Sequence, residues 1–225
     1  MLGLPKSTEY NKRVVKKKFY EKLDVNSKLR NIFITQIQSI QWSSKISSDT
    51  VNLPVGKAVS EIEIFLIKLT GTSLDKKVLT LLDTGIPYHT VFLLEFEGKI
   101  QAWAAYKEVG VKKQGSRNGK KEFTVKLGSY YHTDWIPEEK FPLKLKGLNL
   151  DSVYENLLRQ IGGEPLAARK GETFKETVER DARIMKLQKR INALERKKRA
   201  EKQYNKRLGI AQDVKKLKTE LKALQ

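Results

Sequence analysis

The sequence predicts an α+β (or α/β) protein: a mixed β-sheet with packed helices, followed by a long C-terminal coiled-coil helix or helical hairpin. Three observations predict it. EIEIFLIKL (61–69) and YHTVFLLEF (88–96) are dense in strand-forming residues. A stretch with helical apolar spacing, 76–84, separates them, and others precede the strand at 37–47 and follow the last strand. From about Gly171 onward, apolar residues fall at steps of three and four, the narrow seam of a coiled coil.

The elements follow in order. Residues 1–24 are basic and polar, with Lys12, Arg13, Lys16, Lys17 and Lys18 running into Phe19 and Tyr20. Basic residues beside aromatics suit phosphate contact with stacking. A surface segment tucked down by its two aromatics is the preferred reading. Asn26–Ser27 caps a helix to about Thr35, and 37–47 reads as a strand. Residues 61–69 form the strongest strand. After a break at Gly71–Asp75, Ser73 caps a helix over Lys76–Thr84. Residues 88–96 are largely apolar, which suits a central strand. Glu97–Gly98 is a hairpin turn, and KIQAWAAYKEV is the return strand. Residues 110–122 form a Gly-rich basic loop. Residues 123–135 give a further strand, and Asp151 caps a last helix over 151–161.

The tail sets its own problem. Ile184, Leu187, Ile191 and Leu194 make one seam segment, and Val214, Leu217, Leu221 and Leu224 make another. Such a thin stripe needs a partner, so these eight residues are expected to mediate oligomerisation. Ile191 and Val214 are 23 residues apart, two beyond three heptads. A long helix with a stutter accommodates this, as does a hairpin turning near Asn205–Gly209. Helical spacing of Tyr204, Leu208 and Ala211 favours the long helix. The expected domains are 1–165, globular, and 166–225, a basic arm.

Composition narrows the function. The net charge is +19. Residues 1–165 carry 26 basic and 18 acidic residues, whereas 166–225 carry 19 and 8. Such an excess points to a polyanion, most simply nucleic acid; an RNA-binding or ribosome-associated protein is also permitted by the charge, although no aromatic-rich RNA motif occurs. With no cysteine and only His89 and His132, neither disulfides nor a thiolate metal site can form, and no metal site is expected. No stretch approaches the length of a membrane span or a signal peptide, so a cytoplasmic protein is expected. No Gly-rich phosphate loop occurs in a strand–loop–helix setting, so no nucleotide cofactor is expected.

An ordered series of segments carries a resemblance: LGLPKSTEYNKR, SKLRNIFITQIQSIQWSSKIS, VSEIEIFLIKL, LLDTGIPYHTVFLLEF, AAYKE, YYHTDW and LKGLNLDSVYENLLRQI, with EKQYNKR in the tail. The series resembles the prokaryotic family catalogued as domain of unknown function 4391, over nearly the whole chain. The resemblance implies an accessory component beside helicase-type and methyltransferase genes of restriction or phage-defence islands. It supplies no mechanism.

Candidate chemistry is thin, and a non-enzymatic role is favoured. The implied function is an accessory subunit docking a helicase or methyltransferase partner and adding non-specific DNA contacts. Lys112, Lys113, Arg117, Lys120 and Lys121 in the loop, and Arg196, Lys197, Lys198 and Arg199 in the arm, are the candidate phosphate contacts, with Lys202, Lys206 and Arg207 extending the arm's patch. The alternative is a Mg²⁺-dependent nuclease using Asp83, Glu97 and Lys99, with Glu61, Glu63 or Glu95 as a further ligand. Glu97 and Lys99 flank a turn, which counts against it. Lys107 reads either as a phosphate contact or as the polar end of a strand. His89 and His132, the latter near Asp134, read as buried, hydrogen-bonded structural residues, because no nucleophile motif accompanies them.

Overall fold

The structure, a computed structural model, describes residues 3–17, 19, 25–111, 123–141 and 143–225. Two compact units make up the chain, Met1–Glu164 and Pro165–Gln225. Among the described residues, no helix is long and apolar enough to cross a membrane.

The first unit is built on one sheet. Its strands are β1 (Glu9–Val14), β2 (Ile37–Ser47), β3 (Glu61–Leu69), β4 (His89–Phe96), β5 (Lys99–Val111) and β6 (Phe123–His132), side by side in chain order, with the short β7 (Ile136–Pro137) beside β5. Every neighbouring pair is antiparallel except β3 and β4, which run parallel. A parallel pair needs a crossover, and helix α3 (Lys76–Gly85) supplies it. Helices α1 (Ser27–Gln36) and α2 (Ser48–Val51) flank β2, and α4 (Leu150–Gly162) closes the unit.

The strand sequences explain the layering. Phe65, Ile67, Leu69, Phe92 and Leu94 alternate onto one face and pack with Phe33 of α1 and Val78, Leu79 and Leu82 of α3. The residues between them, among them Ile62, Ile64, Val91 and Leu93, turn to the other face and are equally buried. There α4 lies, with Val153, Tyr154, Leu157 and Leu158 buried. Both central strands are therefore covered on both faces, which is why they read as nearly continuous apolar runs.

Local signals were partly misplaced by the sequence reading. The first strand, β1, lies where only a basic segment was expected; it pairs Lys12 with Trp42 and Arg13 with Gln41. Phe19 does pack on the core. The cap of α3 is Asp75 rather than Ser73, and that of α4 is Asn149 rather than Asp151. Asp151 instead accepts hydrogen bonds from the backbone N–H groups of Lys57 (2.7 Å), Ala58 (3.1 Å) and Val59 (2.8 Å). A side chain on Gly56 would strike this carboxylate, since a Cβ there would lie 2.0 Å from its Oδ1.

The second unit is an antiparallel helical hairpin of α5 (Phe174–Ala200) and α6 (Tyr204–Leu224). The long single helix preferred from the sequence is thereby corrected. The turn is Glu201–Gln203, ahead of the expected Asn205–Gly209, and Gly209 sits inside α6. The backbone leaves the helix at Glu201, which is extended, and not at a glycine. Lys197, Lys198 and Arg199 occupy the last turn of α5, where the helix dipole favours cations, and Glu201 then takes up the N–H of Gln203 (2.9 Å). Thr173 and Glu176 form a capping box at the other end of α5.

Candidate functional site: a sealed polar cluster and a basic hairpin

The most concentrated charge chemistry in the sheet unit gathers where α3 meets the sheet. Asp83 lies near the end of α3, where backbone carbonyls lack helical partners. Lys107, on β5, reaches this helix end from across the sheet. Its ammonium donates to the Asp83 carbonyl, the Ile86 carbonyl and Asp83 Oδ1, each at 2.7 Å. Thr90 of β4 donates its hydroxyl to Oδ1, and Tyr130 of β6 donates to Oδ2 at 2.8 Å. Three strands and one helix thus converge on a single carboxylate. A register shift helps: Ala105 pairs with Tyr130 but Lys107 with Leu127, so β6 carries one extra residue between them. Such a bulge re-aims side chains on either side of it.

The cluster is closed to water, the Lys107 and Asp83 side chains being 0% and 1% exposed. Burial pushes the Lys107 ammonium below its ordinary range, and the adjoining Asp83 opposes that. Burial, and then Asp83, hold the Tyr130 phenol protonated far above its usual range. Glu63, directly across from Thr90 on β3, is pushed upward by burial and by sharing a hydrogen bond with Glu61. On the opposite face, His89 lies edge-on to Tyr154 with ring centroids 4.5 Å apart. Its Nε2 is 3.0 Å from the Lys107 carbonyl, which can only accept, so Nε2 carries the hydrogen. Burial lowers this imidazole to about 4 and keeps it neutral.

This arrangement is saturated. All three ammonium hydrogens are used and both Asp83 oxygens accept. A general acid or base needs a lone pair or proton facing a substrate, and a Mg²⁺ site needs carboxylate oxygens open to the ion. Among the described residues, no group of three or more His, Cys, Asp or Glu is placed to hold a metal ion.

The proposed nuclease trio is not brought together. Asp83 bonds to Thr90 at the start of β4, while Glu97 and Lys99 flank the turn at the other end of that strand. Seven residues of strand separate the two ends, about 20 Å at the usual rise. The supplementary acids are also engaged: Glu61 pairs with Lys45 and Glu95 with Lys68, each at 2.8 Å. Lys107 is a buried strut rather than a surface phosphate contact. His132, expected to be buried, is instead exposed and stacks on Trp103, with centroids 4.4 Å apart. Thr90 and Tyr130 were not recognised; Thr90 is a polar residue buried in the largely apolar β4, whereas β6 mixes polar and apolar residues along its length and gave no signal.

The loop residues Lys112, Lys113, Arg117, Lys120 and Lys121, and Lys18 and Tyr20 near the start, lie outside the described residues.

The arm is different in kind. Ile184, Leu187, Ile191 and Leu194 of α5 pack against Ile210, Val214, Leu217, Leu221 and Leu224 of α6. The seam assigned to oligomerisation is therefore covered within the chain. This also removes the need for a continuous heptad, because each segment lies on its own helix. Ion pairs flank the seam, Lys218 with Glu195 at 2.7 Å and Arg183 with Glu220 at 2.5 Å. At the hairpin's turn, residues 196–207 hold seven basic side chains and one acid. Arg196, Lys197, Arg199, Lys202, Lys206 and Arg207 are exposed, and Lys198 is half-buried.

Fold and site together define a sheet protein with a sealed ionic core and a basic helical hairpin. The model of the family described as Domain of unknown function (DUF4391) matches residues 2–221, and the chain belongs to that family. No curated protein and no solved structure matches it.

Proposed function

We propose that this chain is a non-catalytic accessory subunit that holds nucleic acid through its basic hairpin while the sheet unit docks a larger partner. In keeping with the family resemblance, the setting we assign is a prokaryotic DNA-defence assembly with a helicase-type or methyltransferase partner. One observation carries the nucleic-acid part: the seam residues of the hairpin cover one another, and most of its cations are left outside, concentrated at the turn. Cations so placed lose little solvation on meeting phosphates and gain the entropy of released counterions. The saturated Asp83 cluster supports a structural rather than a catalytic use for the strongest charge pair in the sheet unit.

The test is a salt series of DNA binding by the full chain, compared with a variant carrying Arg196→Ser, Lys197→Ser, Lys198→Ser and Arg199→Ser. Affinity should fall steeply with salt. The variant should bind more weakly and show a salt slope shallower by roughly 2 to 4, since each lost phosphate contact removes about 0.9. Mg²⁺-dependent cleavage of DNA by the purified chain would overturn the non-catalytic reading.

A further inference from the structure

Two side chains at the hairpin turn do not fit a helix that merely closes on its neighbour. Tyr204 is 67% exposed and Leu208 48% exposed. They lie one turn apart at the start of α6, off the seam that begins at Ile210. The Arg207 guanidinium sits 5.8 Å from the Tyr204 ring centroid. Followed at steps of four and three, the stripe continues through Ala211, Lys215, Lys218 and Lys222. Its second half is a shallow trough lined by Ala211, Val214, Lys215, Lys218, Thr219 and Lys222. Lys218 also pairs with Glu195 but keeps more than half of its surface. The stripe from Tyr204 to Lys222 runs about 27 Å along the helix.

We infer that this stripe is a binding track for single-stranded nucleic acid, with Tyr204 stacking on an unpaired base and the cations of the turn and of α6 following the backbone. The inference rests on the nucleic-acid reading of the arm and names its substrate class. In a duplex, base faces are hidden in the stack, so an aromatic ring on a helix surface has nothing flat to meet. In a single strand they are free, and a ring beside cations binds them with little regard to sequence. Charge complementarity chooses the ligand: beside the six apolar and cationic residues of the stripe stand the seven basic residues of the turn, opposed by Glu201 alone between 196 and 207.

The experiment measures fluorescence anisotropy of labelled oligo(dT), oligo(rU) and a blunt DNA duplex with the full chain. Four proteins are compared: wild type, Tyr204→Ala, Tyr204→Phe and the four-serine variant of 196–199. At least one single strand should bind about tenfold tighter than the duplex. Tyr204→Ala should lose about tenfold on that strand and leave the duplex unchanged, and Tyr204→Phe should restore it, since stacking does not need the hydroxyl. Equal affinity for strand and duplex, or a silent Tyr204→Ala, overturns the track while a weakened four-serine variant keeps the arm as a phosphate binder. A four-serine variant that binds like wild type overturns both. Failure of every nucleic acid together with tight binding of an acidic helical peptide would assign the stripe to a protein partner and also overturn the track.

Discussion

Lys107 and Asp83 are joined at 2.7 Å in a part of the molecule that solvent does not reach, and the lysine's remaining hydrogens end on the carbonyls of Asp83 and Ile86. The pair ties the end of α3 to β5. Removing either partner leaves the other charge buried and alone. Asp83→Leu and Lys107→Met are each expected to cost about 3–5 kcal/mol in chemical denaturation. Replacing both at once, as Asp83→Leu with Lys107→Met, should cost far less than the sum. A double-mutant cycle that came out additive would show that the two groups do not act as a unit.

His89 gives the fold an acid-sensitive point. Its imidazole is held neutral in the native state, with its pKa lowered to about 4, whereas in the unfolded chain it titrates near 6.5. The unfolded state therefore takes up a proton first, and stability is lost as pH falls from 6.5 towards 4. The full loss is roughly 3 kcal/mol. A glutamine can place its amide N–H near the position of Nε2. His89→Gln should keep much of the neutral-pH stability and flatten the slope between pH 6.5 and 4, measured by urea unfolding across that range.

Glu63 acts with the opposite sign. Burial and Glu61 raise its folded pKa, so the native state keeps a proton that the unfolded chain releases above the ordinary carboxylate range. Stability from this group is complete at low pH and declines as pH rises from the ordinary carboxylate range towards the raised folded value. Glu63→Gln, which can still donate a hydrogen bond to Glu61, should raise Tm by a few degrees at pH 8 and change it little at pH 4. A lower Tm at both pH values would mean that the ionised form is the one the fold accommodates.

What the sequence made legible was whatever depends on near neighbours. The alternation in 61–69, the apolar run in 88–96 and the inner face of α4 are one-dimensional patterns, and the elements stand where those patterns lie. The cap of α4 was missed by two residues because Asn149 and Asp151 both suit the role. What separated them was a loop more than ninety residues away, whose N–H groups engage Asp151. The polar cluster failed for the same reason. Asp83, Thr90, Lys107 and Tyr130 are brought together by a crossover and a bulge, neither of which leaves a spacing to read. The nuclease trio failed because short spacing along the chain, Asp83 to Glu97, spans the whole length of β4.

The hairpin makes the last prediction, and it separates the two ways of covering the seam. Leu187 and Ile191 are 8% and 1% exposed, and their cover comes from α6 of the same chain. Leu187→Lys together with Leu194→Lys places two charges in the seam. Losing apolar contacts at each site typically costs about 2–5 kcal/mol, and buried lysines add a desolvation cost. A two-helix unit has no second core to absorb that, so α5 and α6 should melt. Far-UV ellipticity should fall while near-UV signals from Trp42 and Trp103 in the sheet unit persist. Because the seam closes within the chain, the solution mass should stay unchanged when the hairpin melts. A mass that drops with the substitution would mean that the seam joins two chains by exchanging helices. The four-serine variant of the turn, whose positions are exposed apart from the half-buried Lys198, should keep most of its helicity in the same measurement, so that charge removal and unfolding are told apart.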